Sequence, residues 1–194
     1  MATDVSAIFQ SLIEKVKKRG HSEDDILRVA ADQGDKLLEK FADVMAEAAR
    51  KPRELYPIHV NYDLSVEKAI EAGDYQAVND SITSASFPSV GHGQAELEIN
   101  LVNFDHRMTS EDVLRELDKE NLRAANLSEL LAFGAAYPDI QRSFSVVGLG
   151  SVWQDRKRYR NVPCLYTASE GRYLDLHWWD DSWYSHSRFA AVRR

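Results

Sequence analysis

The aromatic residues lie very unevenly along this chain, and this limits the folds it can adopt. The chain has seven phenylalanines, eight tyrosines and four tryptophans; only Phe9 and Phe41 lie in the first 50 residues, whereas nine rings lie in the last 42. A front with aliphatic stripes favours helices, and a ring-rich back favours strands and turns. The sequence therefore predicts an α+β protein with an N-terminal helical pair over residues 1–52 and an α+β region over residues 53–194.

Two amphipathic helices are predicted in the helical pair. Apolar residues recur at helical spacing over residues 5–16 and again over residues 26–48. Gly20 is placed to end the first helix, and Pro52 to end the second. Apolar stripes of this kind are buried either in a homo-oligomer or docking contact through residues 5–48, or against the rest of the chain, and the sequence leaves both open.

The remaining residues alternate between strand-like and helix-like patterns. Period-2 alternation of apolar residues predicts half-buried strands, and capping residues ahead of apolar periodicity predict helices. The expected strands cover residues 56–62 and 97–101, and the expected helices cover residues 65–72, 74–80, 109–121 and 126–134. After residue 144 we expect short strands and turns.

Charge and composition exclude several classes of protein. The net charge is −7, from 24 Lys and Arg against 31 Asp and Glu, which argues against a protein held mainly on nucleic acid or an anionic membrane. No apolar run approaches the roughly 20 residues that span a bilayer, and the start lacks the pattern of a signal peptide. We therefore expect a soluble protein, cytoplasmic or phage-encoded, with no nucleic-acid partner and no membrane insertion.

The single cysteine, Cys164, excludes an internal disulfide framework and a multi-cysteine zinc site. It follows Pro163 in a strand-like run, where a lone cysteine is usually a small buried apolar residue. A catalytic thiol would need a neighbouring histidine or a lowered pKa. We expect no cofactor.

The most informative stretch is 172–187, which holds three of the four tryptophans, two tyrosines and two histidines among Asp and Ser. Alternation on a strand directs successive side chains to opposite faces. The residues expected to point inward are Leu174, Leu176 and Trp178. The residues expected to point outward are Asp175, His177 and Trp179. We thus expect Trp178 and Phe189 to be buried and Trp179 to be exposed.

The outward set is both aromatic and polar, which is the composition of binding surfaces, where rigid rings supply contact area and short polar groups adapt to the ligand. In the alternative interpretation, the rings fill a small core and the N-terminal helices drive structural assembly. A third alternative is a metal-dependent enzyme that uses the Asp and His cluster at 175–186. The histidine and carboxylate spacing there matches neither a zinc-protease helix nor a calcium loop.

Four runs of residues, at 123–131, 147–153, 174–178 and 188–193, carry a resemblance to a known fold. The chain resembles the C-type-lectin-like fold in the branch shared by formylglycine-generating enzymes and the variable proteins of diversity-generating retroelements. In that branch, a helix opened by an Arg-x-Pro-x-Thr-x-x-Glu-like run precedes a Trp-bearing strand, and the domain closes on an Arg-Phe-x-x-Val-Arg strand. The resemblance covers about residues 95–194.

Within this branch, the variable proteins fit better, because the enzymes work through a pair of cysteines that this chain lacks. The resemblance implies a non-catalytic protein that binds a protein or other macromolecular ligand through C-terminal positions diversified at adenine-rich codons. The implied variable face comprises Tyr173, Asp175, His177, Trp179, Asp181, Tyr184 and His186. The implied scaffold comprises Leu174, Leu176, Trp178, Trp183, Arg188 and Phe189.

Overall fold

The computed structural model describes residues 5–49, 54–169 and 171–194. Contacts within the chain divide it into two compact units, Met1–Pro52 and Arg53–Arg194. The first is helical and the second combines helices with a sheet. The mixed α+β class predicted from the sequence is therefore confirmed.

The first unit consists of helices α1 (Val5–Lys17) and α2 (Glu23–Ala49). Gly20 lies in the turn between them with φ +91°, a left-handed conformation that favours glycine. Helix α2 is kinked at Gln33, where φ is −134° and ψ is 19°. The expected end of this helix at Pro52 lies outside the described residues.

Many large apolar side chains of this helical unit are exposed to solvent. They are Leu12, Leu27, Val29, Leu37, Leu38, Phe41 and Val44. Their presence on both helices means that the apolar stripes seen in the sequence are accessible in the unit described. Exposed apolar side chains in such number favour an interaction site on these helices.

Within the described residues, the second unit is built on one mixed sheet of nine strands in the order β1-β3-β9-β5-β7-β8-β2, with β4 paired to β9 and β6 to β7. The strands are β1 (Leu55–Asn61), β2 (Ala77–Val78), β3 (Gln94–Val102), β4 (Leu122–Ala124), β5 (Ser145–Val147), β6 (Trp153–Gln154), β7 (Arg160–Ala168), β8 (Gly171–Trp178) and β9 (Ser187–Arg193). The β5–β9 and β2–β8 pairs are parallel, and the other pairs are antiparallel.

Three helices pack on this sheet: α3 (Val66–Glu71), α4 (Ser110–Lys119) and α5 (Leu127–Ala136). Each begins after a capping residue whose side chain accepts a hydrogen bond from a backbone N–H three residues later. The capping residues are Ser65, Thr109 and Asn126. The helix starts predicted from the sequence at these three places are therefore confirmed.

Apolar side chains are buried on both faces of the sheet. On β9, Ala190 and Val192 belong to one buried cluster, the first core, whereas Phe189 and Ala191 belong to another, the second core. Helices α3 and α5 contribute to the first core, and α4 contributes to the second. The sheet therefore lies between two layers of packed side chains, the first core and the second core, and has no face that is wholly exposed to solvent.

A buried ion pair fixes the start of α5. The Glu129 side chain is fully buried and accepts hydrogen bonds from both terminal nitrogens of Arg123, at 2.9 and 2.7 Å, and from the Tyr62 hydroxyl at 2.6 Å. It also accepts from the Asn126 backbone N–H at 2.8 Å, which completes a capping box. A buried carboxylate is tolerated only with such partners. Burial, and then the nearby Glu129 carboxylate, raises the pKa of Tyr62 to about 12.

The helix expected over residues 74–80 is wrong. Ala77 and Val78 instead form β2, which pairs in parallel with Tyr173 and Leu174 of β8. The backbone N–H of Asn79 also bonds to the Leu174 carbonyl at 2.9 Å. Pairing with the edge of the sheet satisfies backbone groups that a single helical turn would have satisfied locally, and this tertiary pairing overrides the local pattern.

The predicted burial of Trp178 and exposure of Trp179 are also wrong. Trp178 is 56% exposed and Trp179 only 6% exposed, although Phe189 is buried as expected. The first core ends at the half-buried Leu176, so the next residue on that face, Trp178, emerges into solvent. The opposite face is covered by the second core, which takes in Trp179. The predicted alternation of side chains along β8 is correct, but the cores on the two faces of the sheet end at different residues, so Trp178 is exposed and Trp179 is buried.

This reversal predicts which tryptophan stabilises the fold. We expect Trp179→Ala to lower the free energy of unfolding by about 3–5 kcal/mol, because a large ring leaves a cavity in the second core. Trp178→Ala should change it by less than about 1 kcal/mol, because the ring is exposed. Denaturant unfolding of both variants measures the difference, and the opposite order of stabilities would contradict the second core as described.

Candidate ligand-binding site

A pocket of about 310 Å³ lies on the second-core face of β5, β7 and β8, next to the segment that links β8 to β9. Strand residues form its floor and the linking segment, residues 179–186, forms a wall. The lining residues are Ser145, Cys164, Tyr166, Asp175, Leu176, His177, Ser182, Trp183, Tyr184, His186 and Ser187. The pocket thus combines rings, hydroxyls, two imidazoles and one carboxylate.

The linking segment is held mainly through its backbone. Met108 and Trp183 exchange two backbone hydrogen bonds, of 3.1 and 2.9 Å. The Asn103 side-chain amide donates to the carbonyls of Ser185 and Ser187, at 2.8 and 3.0 Å. Because these bonds use main-chain atoms of the segment, they place the wall of the pocket without using the side chains that face the pocket.

One buried hydroxyl connects this segment to helix α4. The Ser110 hydroxyl donates to the Trp179 carbonyl at 2.7 Å and accepts from the indole N–H of Trp183 at 2.9 Å. The adjacent residue, Glu111, accepts from the indole N–H of Trp179 at 2.6 Å. That bond is the main reason why the pKa of Glu111 is lowered. The first turn of α4 therefore holds both tryptophans of the segment.

His177 lies at the junction of floor and wall. Its ring contacts Trp183 edge-on, with 4.8 Å between the ring centres. Its Nδ1 accepts from the backbone N–H of Trp178 at 3.0 Å, which in the neutral ring leaves the proton on Nε2. The Asp181 carboxylate lies 3.7 Å from Nδ1. The contact is an ion pair only when the imidazole is protonated, because Nδ1 of the neutral ring is an acceptor.

Asp175 supplies the negative charge of the pocket. Its Oδ1 accepts from the Asn79 side-chain amide and from the Leu176 backbone N–H, both at 2.7 Å. Burial, and secondarily this carboxylate, raises the pKa of Cys164 to about 12 and also raises the pKa of Tyr166. At neutral pH, the floor therefore carries a protonated thiol and a neutral phenol, neither of which is activated as a nucleophile.

The outer rim is aromatic. The Tyr184 and His186 rings lie parallel with 6.3 Å between their centres, and the Arg107 guanidinium lies 5.7 Å from the centre of the Tyr184 ring. Tyr184 is 56% exposed. Such rings offer contact area to a ligand at little cost in conformational entropy.

The structure brings together four of the seven predicted face residues, because Asp175, His177, Tyr184 and His186 all line the pocket. Tyr173 stacks on Tyr166 with 5.2 Å between ring centres, at the border of the pocket floor. Asp181 is exposed beside His177. Trp179 does not belong to this face, because it is buried in the second core.

Of the predicted scaffold, three residues are buried, two are half-buried and Trp178 is exposed. The buried residues are Leu174, Trp183 and Phe189. The half-buried residues are Leu176 and Arg188. The Arg188 guanidinium lies 4.7 Å from the centre of the Phe144 ring and donates to the Ser185 carbonyl at 3.0 Å, so it helps to hold the linking segment.

The part of the floor that comes from β5 and β7, namely Ser145, Cys164 and Tyr166, does not belong to the face predicted from the sequence. The available signal was alternation along β7, where Val162, Cys164 and Tyr166 fall on one face. Cys164 pairs with Asp175, and Tyr166 pairs with Tyr173. Only the strand register reveals those pairs, and the register depends on the whole sheet.

No group of three or more His, Cys, Asp or Glu side chains in the part of the chain that the structure describes lies close enough together to hold a metal ion. No helix in the same ranges has the length and apolar character needed to cross a membrane.

Comparison with known proteins found no matching family model, no matching curated protein and no matching solved structure.

The Ser110 hydroxyl offers a direct test of how the site is positioned. We expect Ser110→Ala to lower the free energy of unfolding by about 1–3 kcal/mol for each buried partner it leaves without a bond. Ser185→Ala, which removes an exposed hydroxyl from the linking segment itself, should change it by less than about 0.5 kcal/mol. Denaturant unfolding measures both, and equal effects would show that Ser110 does not hold the linking segment.

Proposed function

We propose that residues 53–194 form a non-catalytic ligand-binding domain whose recognition site is the pocket beside β8. The observation that carries this proposal is the convergence of Asp175, His177, Tyr184 and His186 on one pocket. All four belong to the variable face that the resemblance implies. Their chemistry combines fixed rings with hydrogen-bonding groups, which suits recognition.

The size of the pocket indicates what it holds. A volume of about 310 Å³ is at the lower limit for small-molecule sites. It suits one side chain or one sugar-sized group that projects from a larger ligand, with the exposed Tyr184 and His186 contacting the surrounding surface. We therefore propose a protein or other macromolecular ligand.

We further propose that this domain is the C-type-lectin-like variable protein of a diversity-generating retroelement, as the resemblance implies. Support comes from the contrast between neighbouring residues in the segment. Trp183 and Phe189 are buried, whereas His177, Tyr184 and His186 are exposed. Positions that vary must not carry the core, and the exposed set meets this requirement; the buried Trp179 does not, so we leave it out of the variable face.

The retroelement assignment is tested by sequencing the DNA around the gene. We expect a reverse transcriptase gene and a template copy of the sequence around residues 172–190 that differs only at adenines. If neither is present, the assignment to a retroelement fails, and the binding function must stand on the experiments below.

The variable face should tolerate substitution without loss of folding. We expect the combined change His177→Ser, Tyr184→Ser and His186→Ser to alter the free energy of unfolding by about 0.5 kcal/mol per position or less. Phe189→Ala, in the same part of the chain, should lower it by about 3–5 kcal/mol. Thermal and denaturant unfolding distinguish these outcomes.

Binding is tested with a displayed library in which Asp175, His177, Tyr184 and His186 are randomised. Selection on a panel of immobilised proteins should yield specific binders that lose affinity when the selected residues are changed to serine. A matched library randomised at the four exposed positions Lys68, Glu71, Arg115 and Lys119 should yield none. Equal success of both libraries would contradict the pocket as the recognition site.

For the helical unit, we propose self-association through residues 5–48. The supporting observation is the exposed apolar set on both helices, which includes Leu27, Leu38 and Val44 at 61–63% exposure. Burial of such side chains between copies contributes roughly 25 cal/mol per Å² of apolar area removed from water. Self-association would display several pockets on one assembly and would raise avidity for a multivalent ligand.

Deletion of residues 1–52 tests this role. We expect the full chain to scatter light as an oligomer and the shortened chain to remain folded as a monomer with an unchanged melting temperature. If the helices instead cover the core of the remainder, the shortened chain should aggregate or melt early, because apolar surface is then exposed. An insoluble remainder would contradict a separable association unit.

A further inference from the structure

A second exposed surface lies on the opposite side of β8 from the pocket. Trp178 follows His177 in the strand, so the two side chains point to opposite faces of the sheet. The Trp178 ring stacks on the Tyr159 ring, with 5.6 Å between the ring centres and 20° between the planes. Both rings are at least half exposed, at 56% and 50%. We call Tyr159 and Trp178 the ring pair.

The hairpin between β6 and β7 carries the ring pair next to three cations. Arg156, Lys157 and Arg158 are successive exposed residues at its tip. Within the described ranges, none of these three side chains has a carboxylate partner. The hairpin therefore presents three cations that form no direct ion pair beside two stacked rings.

The Asp155 carboxylate stabilises the hairpin through hydrogen bonds within the turn. Oδ1 of Asp155 accepts from the backbone N–H groups of Lys157 and Tyr159, at 2.8 and 2.9 Å. The backbone N–H of Arg158 also donates to the Asp155 carbonyl at 3.0 Å. These bonds from backbone N–H groups fix the turn, and both the side chain and the carbonyl of Asp155 serve as acceptors.

Two other carboxylates close to the hairpin already form ion pairs. Arg160, which follows the hairpin, lies over the Trp179 ring at 5.2 Å and pairs with Asp180 and Glu111. These groups belong to the second-core side of the sheet, whereas the ring pair lies on the first-core side. The carboxylates of this neighbourhood therefore compensate Arg160 and not the three cations at the hairpin tip.

We propose that the ring pair and the hairpin cations bind single-stranded nucleic acid. An unpaired base can stack on an exposed ring because every base has a flat π face, and the flanking phosphates can meet Arg156, Lys157 and Arg158. The net charge of −7 describes the whole chain and argued against binding by overall charge. Stacking on a local basic hairpin does not require a basic protein.

An acidic protein partner is the main competing occupant of this surface. It would use the three cations but would gain nothing specific from two parallel rings. A duplex would use the cations and leave its bases stacked on one another, away from the ring pair. The ring pair is the feature that favours a single strand, and it is therefore the feature that the experiment must test.

The test measures anisotropy of a fluorescein-labelled oligothymidylate with the full chain at low salt. We expect saturable binding that quenches tryptophan fluorescence, and we expect Trp178→Ala to weaken it by roughly 5- to 100-fold. Trp178→Phe should restore most of the affinity, because phenylalanine also stacks. Because Trp178 is exposed, these variants should retain the melting temperature of the unsubstituted chain.

The charge contribution is measured separately with salt. Three phosphate contacts on a single strand predict a slope of about −2 for the logarithm of the affinity against the logarithm of salt concentration. The triple change Arg156→Gln, Lys157→Gln and Arg158→Gln should bring that slope close to zero. The matched control Lys68→Gln, Arg115→Gln and Lys119→Gln, with the same change in net charge at exposed positions, should leave the slope unchanged.

Three outcomes would overturn the proposal. The first is absence of oligothymidylate binding at low salt. The second is binding that Trp178→Ala leaves unchanged, which would indicate charge alone. The third is tighter binding of polyglutamate or of duplex DNA than of the single strand. None of these outcomes bears on the pocket, since the two surfaces lie on opposite faces of the sheet.

Discussion

The Ser110 hydroxyl is the contact on which the C-terminal part of the structure depends. It links the backbone at Trp179 to the indole of Trp183, and both rings lie in the second core under α4. Together with the backbone bonds between Met108 and Trp183, this link fixes the path of the chain from β8 to β9. A fully buried side chain, at the first residue of a capped helix, thereby helps to set where the wall of the pocket stands. Because Thr109 caps α4 and Ser110 is the first residue of this helix, the cap that fixes the start of α4 also fixes the position of the pocket wall.

Much of the fold could be predicted from local patterns. The capped helices at Ser65, Thr109 and Asn126 begin where their sequences indicate, since a cap is a local interaction. The errors arose where distant strands decide the outcome. Ala77 and Val78 pair with β8 across nearly 100 residues, and no local pattern reports such a pairing. Likewise, alternation in β8 gives two faces but cannot say that both faces acquire a covering layer.

The candidate site was predictable where it is continuous in sequence. His177, Tyr184 and His186 lie within ten residues of one another, and their unusual composition marks them. The floor contributed by Cys164 and Tyr166 becomes visible only through the register of β7 against β8. The burial of Trp179 and the exposure of Trp178 could not be predicted from the sequence, because adjacent identical side chains differ in burial only through the unequal extent of the two cores.

The backbone-held wall of the pocket has a consequence for evolvability. Asn103 and Met108 grip main-chain atoms of the linking segment, and these atoms are present whatever side chain each residue carries. Replacements at Tyr184 and His186 are therefore decoupled from the path of the chain, and because the two rings stack on each other, their replacements are coupled to one another instead. A recognition surface organised in this way can accept many combinations of side chains, because the scaffold beneath it maintains the fold.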